Sequence, residues 1–262
     1  MSGAKNNFPK ISIVTPSFNQ ADFIEETIKS ILTQDYPNFE HIVMDGGSTD
    51  GTLRILKKYG KRIFWRSEKD KGQGDAINKG LKMAKGEILA YLNSDDTYEP
   101  GALKAVAEFF LKNPQKMWVF GKCRIIDTKG KEIRKIITAY KNFWLRRYNY
   151  NTLLVLNYIS QPAVFWRREA YKEIGEFNIE EFWELDYDYW LRLGKKYQPG
   201  FIDKYLANFR VHKKSKTSIG IKHFLEEVKV AKRYTKNPML ISLHYLNFLT
   251  IVFGYSVLAV LQ

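Results

Sequence analysis

A chain of 262 residues, 45% hydrophobic and 27% charged, has the balance of a folded protein, with room for one large α/β domain or a domain with an appendage. One cysteine, Cys123, excludes an internal disulfide framework and any Cys-based metal cluster, and Met1 to Lys10 lacks the apolar core of a signal peptide, so a reducing, non-secreted setting is expected. The formal charge of +14 attracts polyanions, yet no Cys/His finger, aromatic RNP pattern or basic heptad helix is present, so nucleic acid is not an expected partner.

The first strand-like run, Ile11-Ser12-Ile13-Val14-Thr15, leads into Pro16-Ser17-Phe18-Asn19. Phe23, Ile24, Ile28, Ile31 and Leu32 then recur at helical spacing. A second apolar run, His41-Ile42-Val43-Met44, ends on Asp45 and the turn Gly46-Gly47-Ser48-Thr49-Asp50-Gly51. A helical segment, Thr52 to Tyr59, follows, then a short strand at Arg62 to Trp65 and a helix from about Asp75 to Ala84. The third apolar run, Ile88 to Leu92, ends on Asn93-Ser94-Asp95-Asp96. Strands alternating with helices predict a mostly parallel, Rossmann-like sheet flanked by helices. Pro100 opens another helix, Gly101 to Lys112.

Beyond it, Met117 to Ile126 and Lys131 to Ile137 read as a hairpin around Thr128-Lys129-Gly130. Tyr140 to Tyr158 is rich in aromatic and basic residues. A strand near Ala163 to Trp166 precedes a short helix ending at Gly175; Trp183 to Lys195 reads as an amphipathic helix, with a strand near Phe201 to Val211 behind it. From Pro238 to Gln262 there is no Lys, Arg, Asp or Glu. That length suits a bilayer, but Ser242, His244, Asn247, Thr250, Gly254 and Ser256 interrupt it. With Lys229, Lys232, Arg233 and Lys236 upstream, the tail is expected to associate with a membrane surface, the other reading being a helix packed on the body or in a dimer. The expected organisation is 1–215, with a donor half over about 10–115 and an acceptor half over about 116–215, then a C-terminal helical segment, 216–262.

In an open α/β sheet, ligands bind at the C-terminal edge of the strands. Acidic residues converging there suit a divalent cation and the nucleotide it accompanies. Asp45 ends a buried strand, and its carboxylate can accept hydrogen bonds from a base N–H or from ribose hydroxyls. Asp50 reads as a helix cap ahead of Thr52. In Asn93-Ser94-Asp95-Asp96, Asp95 and then Asp96 are candidate ligands for Mg²⁺ or Mn²⁺; His212 is a candidate for a further ligand or for a bond to the diphosphate, and Arg210 a candidate to face phosphate. Within Trp183-Glu184-Leu185-Asp186-Tyr187-Asp188, the two aspartates point in different directions on a helix. Asp188 has Arg192 at i+4, a partner that gives it a structural role, whereas Asp186 has Trp190 there and no basic mate.

These motifs resemble the family 2 glycosyltransferases, whose nucleotide-sugar domain has the GT-A fold; the likeness extends more weakly to about His212. The resemblance implies that Asp45 binds the nucleotide base, with Thr15 and Pro16 lining the same pocket, and that Asp70, Gly72 and Asp75 contact the donor. It identifies Asn93-Ser94-Asp95-Asp96 with the family's acidic metal and donor motif, departing from it in Asn93 for the usual first Asp; an amide still bonds to ribose but brings no charge. Asp186 falls at the position of the general base, with Leu185 in place of Glu, and Trp183 becomes a platform for the acceptor sugar or a buried Trp. The function implied is metal-dependent, inverting transfer from a nucleoside diphosphate sugar, UDP-sugar favoured, to a saccharide or lipid-linked acceptor in cell-surface polysaccharide or glycoconjugate synthesis. The expected location is cytoplasmic or peripheral on the inner membrane face. The rivals are a nucleotidyltransferase, which would carry a Gly-rich basic loop after the first strand, and a non-catalytic basic binding module.

Overall fold

The computed structural model describes residues 8–260 apart from 182, 214 and 216–220, with the helical backbone alone at 221–224 and 251–260. The far end of the apolar tail beyond its backbone, with the surroundings of Gly254 and Ser256, and the boundary at 215/216 therefore lie outside the described residues.

Four strands form the parallel half of the sheet: β1 (Ile11–Ser17), β2 (Phe39–Asp45), β3 (Phe64–Ser67) and β4 (Ile88–Tyr91), in the order β3-β2-β1-β4. Their continuous Ile, Val and Leu runs are those of strands covered on both faces; Ile11, Ile13, Val14, Val43 and Ile88 are fully buried. The crossover helices are α1 (Ile24–Leu32), α2 (Thr52–Tyr59) and α3 (Gln73–Met83). α3 approaches β1 so closely that a Cβ on Gly80 would lie 2.4 Å from a Val14 methyl, which only glycine avoids. The register sets Ser17 beside Asp45 and Asp45 beside Ser67, so the strand ends finish level at one edge. The third strand starts two residues later than the periodicity predicts, because Gly60–Arg62 first winds a 3-10 turn.

After β4 the sheet becomes mixed. The elements run β5 (Thr97–Tyr98), α4 (Ala102–Lys112), β6 (Trp118–Ile126), β7 (Glu132–Ile133), α5 (Lys135–Leu145), α6 (Tyr150–Val155), β8 (Val164–Arg167), α7 (Arg168–Ile174), α8 (Leu185–Lys196), β9 (Gly200–Arg210), α9 (Ile221–Tyr234) and α10 (Pro238–Val260). β8 joins β4 and β6 antiparallel, β9 runs parallel to β6, and β5 pairs with the end of β9 through Thr97 and Asn208. The strand expected at Lys131 to Ile137 stops after Ile133, where Arg134 takes φ 52° and α5 begins. Ile136, Tyr140 and Phe143 share the helical spacing that a short alternating pattern had concealed.

α8 is pinned to the sheet by aromatic rings: Trp190 stacks on Trp118 at 6.2 Å and Tyr189 on Phe177 at 3.9 Å between centroids. α10 packs on α6 and α9. Its His244 is 1% exposed: Nδ1 lies 2.8 Å from the Leu154 carbonyl and Nε2 3.7 Å from Glu227. Met239, Leu243, Leu246 and Leu249 remain exposed on the outer face. Among the described residues no helix is long and apolar enough to cross a membrane; the far end of the tail lies outside them.

Candidate active site

The first wall of the site is the Asp45 turn. Asp45, 2% exposed, accepts from the backbone N–H groups of Gly47 (3.1 Å) and Ser48 (2.9 Å) and from the hydroxyls of Ser48 (2.5 Å) and Ser67 (2.6 Å). The carboxylate thereby closes its own turn onto β3. Thr15 is buried, its hydroxyl 2.9 Å from His41 Nε2, and Pro16 is buried beside it. Asp50 accepts from Thr52 N–H (2.9 Å) and Ala21 N–H (3.0 Å). It stands one residue ahead of the N-cap, which is Gly51 and not Asp50 as the sequence suggests.

Asp70 lies against this turn: a Cβ on Gly46 would sit 2.7 Å from Asp70 Oδ2, so the glycine makes room for the carboxylate. Asp70 Oδ1 accepts from Gly72 N–H at 2.8 Å. Burial, reinforced by the charges of Asp75 and Asp45, raises the Asp70 carboxyl above its ordinary value. Asp75 goes the other way: against its slight burial, the Lys71 N–H (3.0 Å) and the Lys79 ammonium (3.1 Å) hold it below.

The second wall is the turn after β4. Asn93 Oδ1 accepts from Gln73 Nε2 at 2.7 Å, while Asn93 Nδ2 donates to Gln161 Oε1 at 3.2 Å and lies 3.4 Å from Asp96 Oδ2. Gln161 Nε2 donates to the Tyr91 carbonyl at 2.7 Å, tying the turn to β4. Ser94 is buried in the same turn. Asp95 Oδ2 and His212 Nε2 meet at 2.9 Å, and the His212 ring stacks on Phe23 with centroids 4.6 Å apart.

Two expectations need correcting here. Asp96 is fully buried and accepts from Arg210 N–H at 2.8 Å, so its carboxyl is turned into the scaffold; burial, then the adjacent Asp95 charge, push it well above the usual carboxylate range. Arg210 faces no open phosphate site. Its side chain is 0% exposed, with Nε on the Asp95 carbonyl (2.7 Å), Nη1 on the Asp127 carbonyl (2.9 Å) and Nη2 against Glu26 (2.7 Å). Both residues instead hold the turn that presents Asp95.

The third wall is the start of α8. Asp186 is partly open to solvent, whereas Asp188 is buried, accepting from Arg192 Nε at 3.0 Å and from the Tyr234 hydroxyl at 2.6 Å. Burial of Tyr91 pushes its phenol up, and the charges of Asp186 and Asp96 add to that. Trp183 lines a cavity of about 530 Å³ with Leu225, Glu226, Lys229, Lys232 and Tyr245.

Asp95 and His212 offer one carboxylate oxygen and one imidazole nitrogen converging on a single point, a donor set that fits Mn²⁺ or Mg²⁺ if phosphate oxygens complete the shell. No group of three His, Cys, Asp or Glu side chains converges among the described residues, so protein ligands alone do not fill such a shell. Sequence reasoning missed Gln73, Gln161 and Phe23, whose partners come from distant elements; only their polar or aromatic type near a strand end hinted at them.

Comparison with known proteins agrees with this geometry. The family model described as Glycosyl transferase family 2 matches residues 12–175. A putative teichuronic acid biosynthesis glycosyltransferase, TuaG of Bacillus subtilis (strain 168), is 32% identical over 208 residues, covering 78% of this chain and 79% of its own. The chain spans only 34% of the length of another relative, an uncharacterized glycosyltransferase of Rickettsia felis, at 30% identity over 78% of this chain. Among solved structures, the mannosyltransferase PcManGT from Pyrobaculum calidifontis, in complex with GDP-Man and Mn²⁺, superposes with TM-score 0.67 at 19% identity, covering 96% of this chain and 81% of that one. S. aureus TarS 1-349 in complex with UDP-GlcNAc gives TM-score 0.65 at 21% identity, covering 87% and 67%. The sheet, its flanking helices and the strand-end turns are those of the GT-A fold, and the chain belongs to glycosyl transferase family 2 as a glycosyltransferase.

Proposed function

We propose that this enzyme transfers a sugar, with inversion, from a nucleoside diphosphate sugar to a hydroxyl of a saccharide or lipid-linked acceptor in cell-surface polysaccharide or glycoconjugate assembly. The observation that carries this reading is the meeting of Asp95 Oδ2 and His212 Nε2 at 2.9 Å beyond the end of β4, together with a partly exposed Asp186 at the start of α8. In the reaction the acceptor oxygen bonds to the anomeric carbon and gives its proton to Asp186, while the bond from that carbon to the diphosphate breaks and its electron pair leaves with the phosphate oxygen. Thr15, Pro16 and the turn shaped by Asp45 form the nucleotide end; Asp70, Gly72 and Asp75 lie over it, and Asn93 and Ser94 lie beside the ribose. Asp95 and His212 would hold the divalent cation, which when bound neutralises charge on the diphosphate. Solved neighbours bound to GDP-Man with Mn²⁺ and to UDP-GlcNAc support a nucleotide sugar as donor, and UDP is the nucleotide we favour.

The cavity beneath Trp183 suits the acceptor, the indole face taking a sugar ring and Lys229 and Lys232 an anionic link. The exposed leucines of α10 continue from Tyr245, so peripheral contact with a membrane would deliver a lipid-linked acceptor. The test is a panel of UDP- and GDP-sugars with Mn²⁺ and saccharide acceptors, reading nucleoside diphosphate release and product mass. Absence of any sugar-dependent product across both nucleotides would count against the reading.

A further inference from the structure

Three charged side chains around the site have a charged or imidazole partner: Asp188 with Arg192 at 3.0 Å, Arg210 with Glu26 at 2.7 Å, Asp95 with His212 at 2.9 Å. Lys141 breaks the pattern. It projects from α5, which lies across β6, and its stem is half-buried. Among the described residues its one hydrogen bond runs from Nζ to Ser160 Oγ at 3.4 Å, long for a charged donor, and no carboxylate lies within ion-pair distance. Burial lowers its pKa from the lysine value, against the pull of Cys123, Glu227 and Asp186. A desolvated ammonium without a counter-ion is a costly feature that a bound anion repairs.

Its position indicates which anion. Ser160 adjoins Gln161, which bonds both Asn93 and the Tyr91 carbonyl. The ammonium therefore lies next to the link between Gln161 and Asn93, beside the turn that carries Asp95, where the transfer reading puts the diphosphate. We propose that Lys141 is an oxyanion-binding catalytic residue that donates hydrogen bonds to the diphosphate oxygen gaining charge as the glycosidic bond to the donor breaks. The proposal rests on the transfer reading above. The electron pair of the breaking bond goes to that phosphate oxygen, the acceptor proton goes to Asp186, and Lys141 keeps its own protons throughout. A donor fixed in a water-poor site acts most strongly on charge that develops in the transition state.

The test uses the full chain with Lys141→Met and Lys141→Arg, measuring thermal unfolding, affinity for nucleoside mono- and diphosphates, and kcat and KM for donor and acceptor. Lys141→Met should unfold no earlier than the wild type and lower kcat by about 10²- to 10³-fold, as loss of one oxyanion donor does. It should weaken nucleoside diphosphate binding by about tenfold and leave monophosphate binding unchanged; Lys141→Arg should recover part of the rate. If Lys141→Met fails to fold, Lys141→Gln takes the same measurements. Diphosphate affinity and kcat within twofold of wild type would overturn the proposal. So would an effect confined to acceptor KM, which would assign the ammonium to an anionic group of the acceptor. A wild-type protein that binds no nucleoside diphosphate would overturn the transfer reading itself, an outcome visible before any variant is made.

Discussion

Replacing the two aspartates of α8 one at a time separates chemistry from architecture. Asp188→Asn keeps the shape but removes the charge that Arg192 Nε meets at 3.0 Å and that the Tyr234 hydroxyl meets at 2.6 Å. An exposed pair at this spacing contributes about 0.3–0.5 kcal/mol. Asp188 is 4% exposed, however, and hydrogen bonds to charged groups are then each worth about 1.5–3 kcal/mol. Since the amide still accepts one bond, the expected loss is about 2–4 kcal/mol, or roughly 5–15 °C in Tm for a domain of this size. Activity per folded molecule should stay within a few-fold of wild type. Asp186→Asn should do the reverse: Tm close to wild type, unchanged donor binding, and transfer reduced by about 10²- to 10⁴-fold, the contribution of a positioned base. The assay is product formation at saturating donor beside calorimetric unfolding of the same preparations. An inactive, fully stable Asp188→Asn with a near-normal Asp186→Asn would refute the assignment and move the base to Asp188.

Other outcomes follow from the same contacts. Arg210→Ala removes the donor shared by the Asp95 carbonyl, the Asp127 carbonyl and the half-exposed Glu26 carboxylate, so we expect about 1–3 kcal/mol of destabilisation together with weaker nucleotide binding, read by chemical denaturation and titration. Buried His41 has its pKa lowered to about 3 by desolvation. Because the folded value lies below the ordinary one near 6.5, the stabilisation is present above pH 6.5 and is lost as pH falls toward 3, by up to about 1.4 kcal/mol per unit. His41→Gln should flatten that slope in unfolding curves between pH 7 and 4, and an unchanged slope would place the titration elsewhere. Replacing Leu243, Leu246 and Leu249 with Ser should abolish co-sedimentation with anionic vesicles without lowering Tm, since all three are exposed; equal sedimentation would dissociate α10 from the membrane.

What the sequence revealed and what it hid divide along a physical line. The strand ends at Asp45 and Asn93 to Asp96 were legible because buried parallel strands write continuous apolar runs and the polar residue that ends each run stands at the ligand edge. The split between Asp186 and Asp188 was legible because the Arg192 pairing is local, at i+4. The burial of Asp188 was not, because Tyr234 reaches it from α9. Arg210 looked like a phosphate ligand, since nothing local shows that Glu26 and Asp127 claim its guanidinium. The network of Gln73, Asn93 and Gln161 unites three segments that only the folded sheet brings together. α5 was misread because a two-residue edge strand and a helix start share the same few apolar positions.

The central claim is that the Asp95–His212 edge binds the diphosphate of a nucleotide sugar with a divalent cation. Calorimetric titration of UDP and GDP into wild type, Asp95→Ala and His212→Ala, each with Mn²⁺ and with chelator, tests it most directly. Wild type should bind one nucleotide in a Mn²⁺-dependent way, and both variants should lose that Mn²⁺ dependence with their folds intact by circular dichroism. Equal binding by all three proteins in chelator and in Mn²⁺ would contradict it.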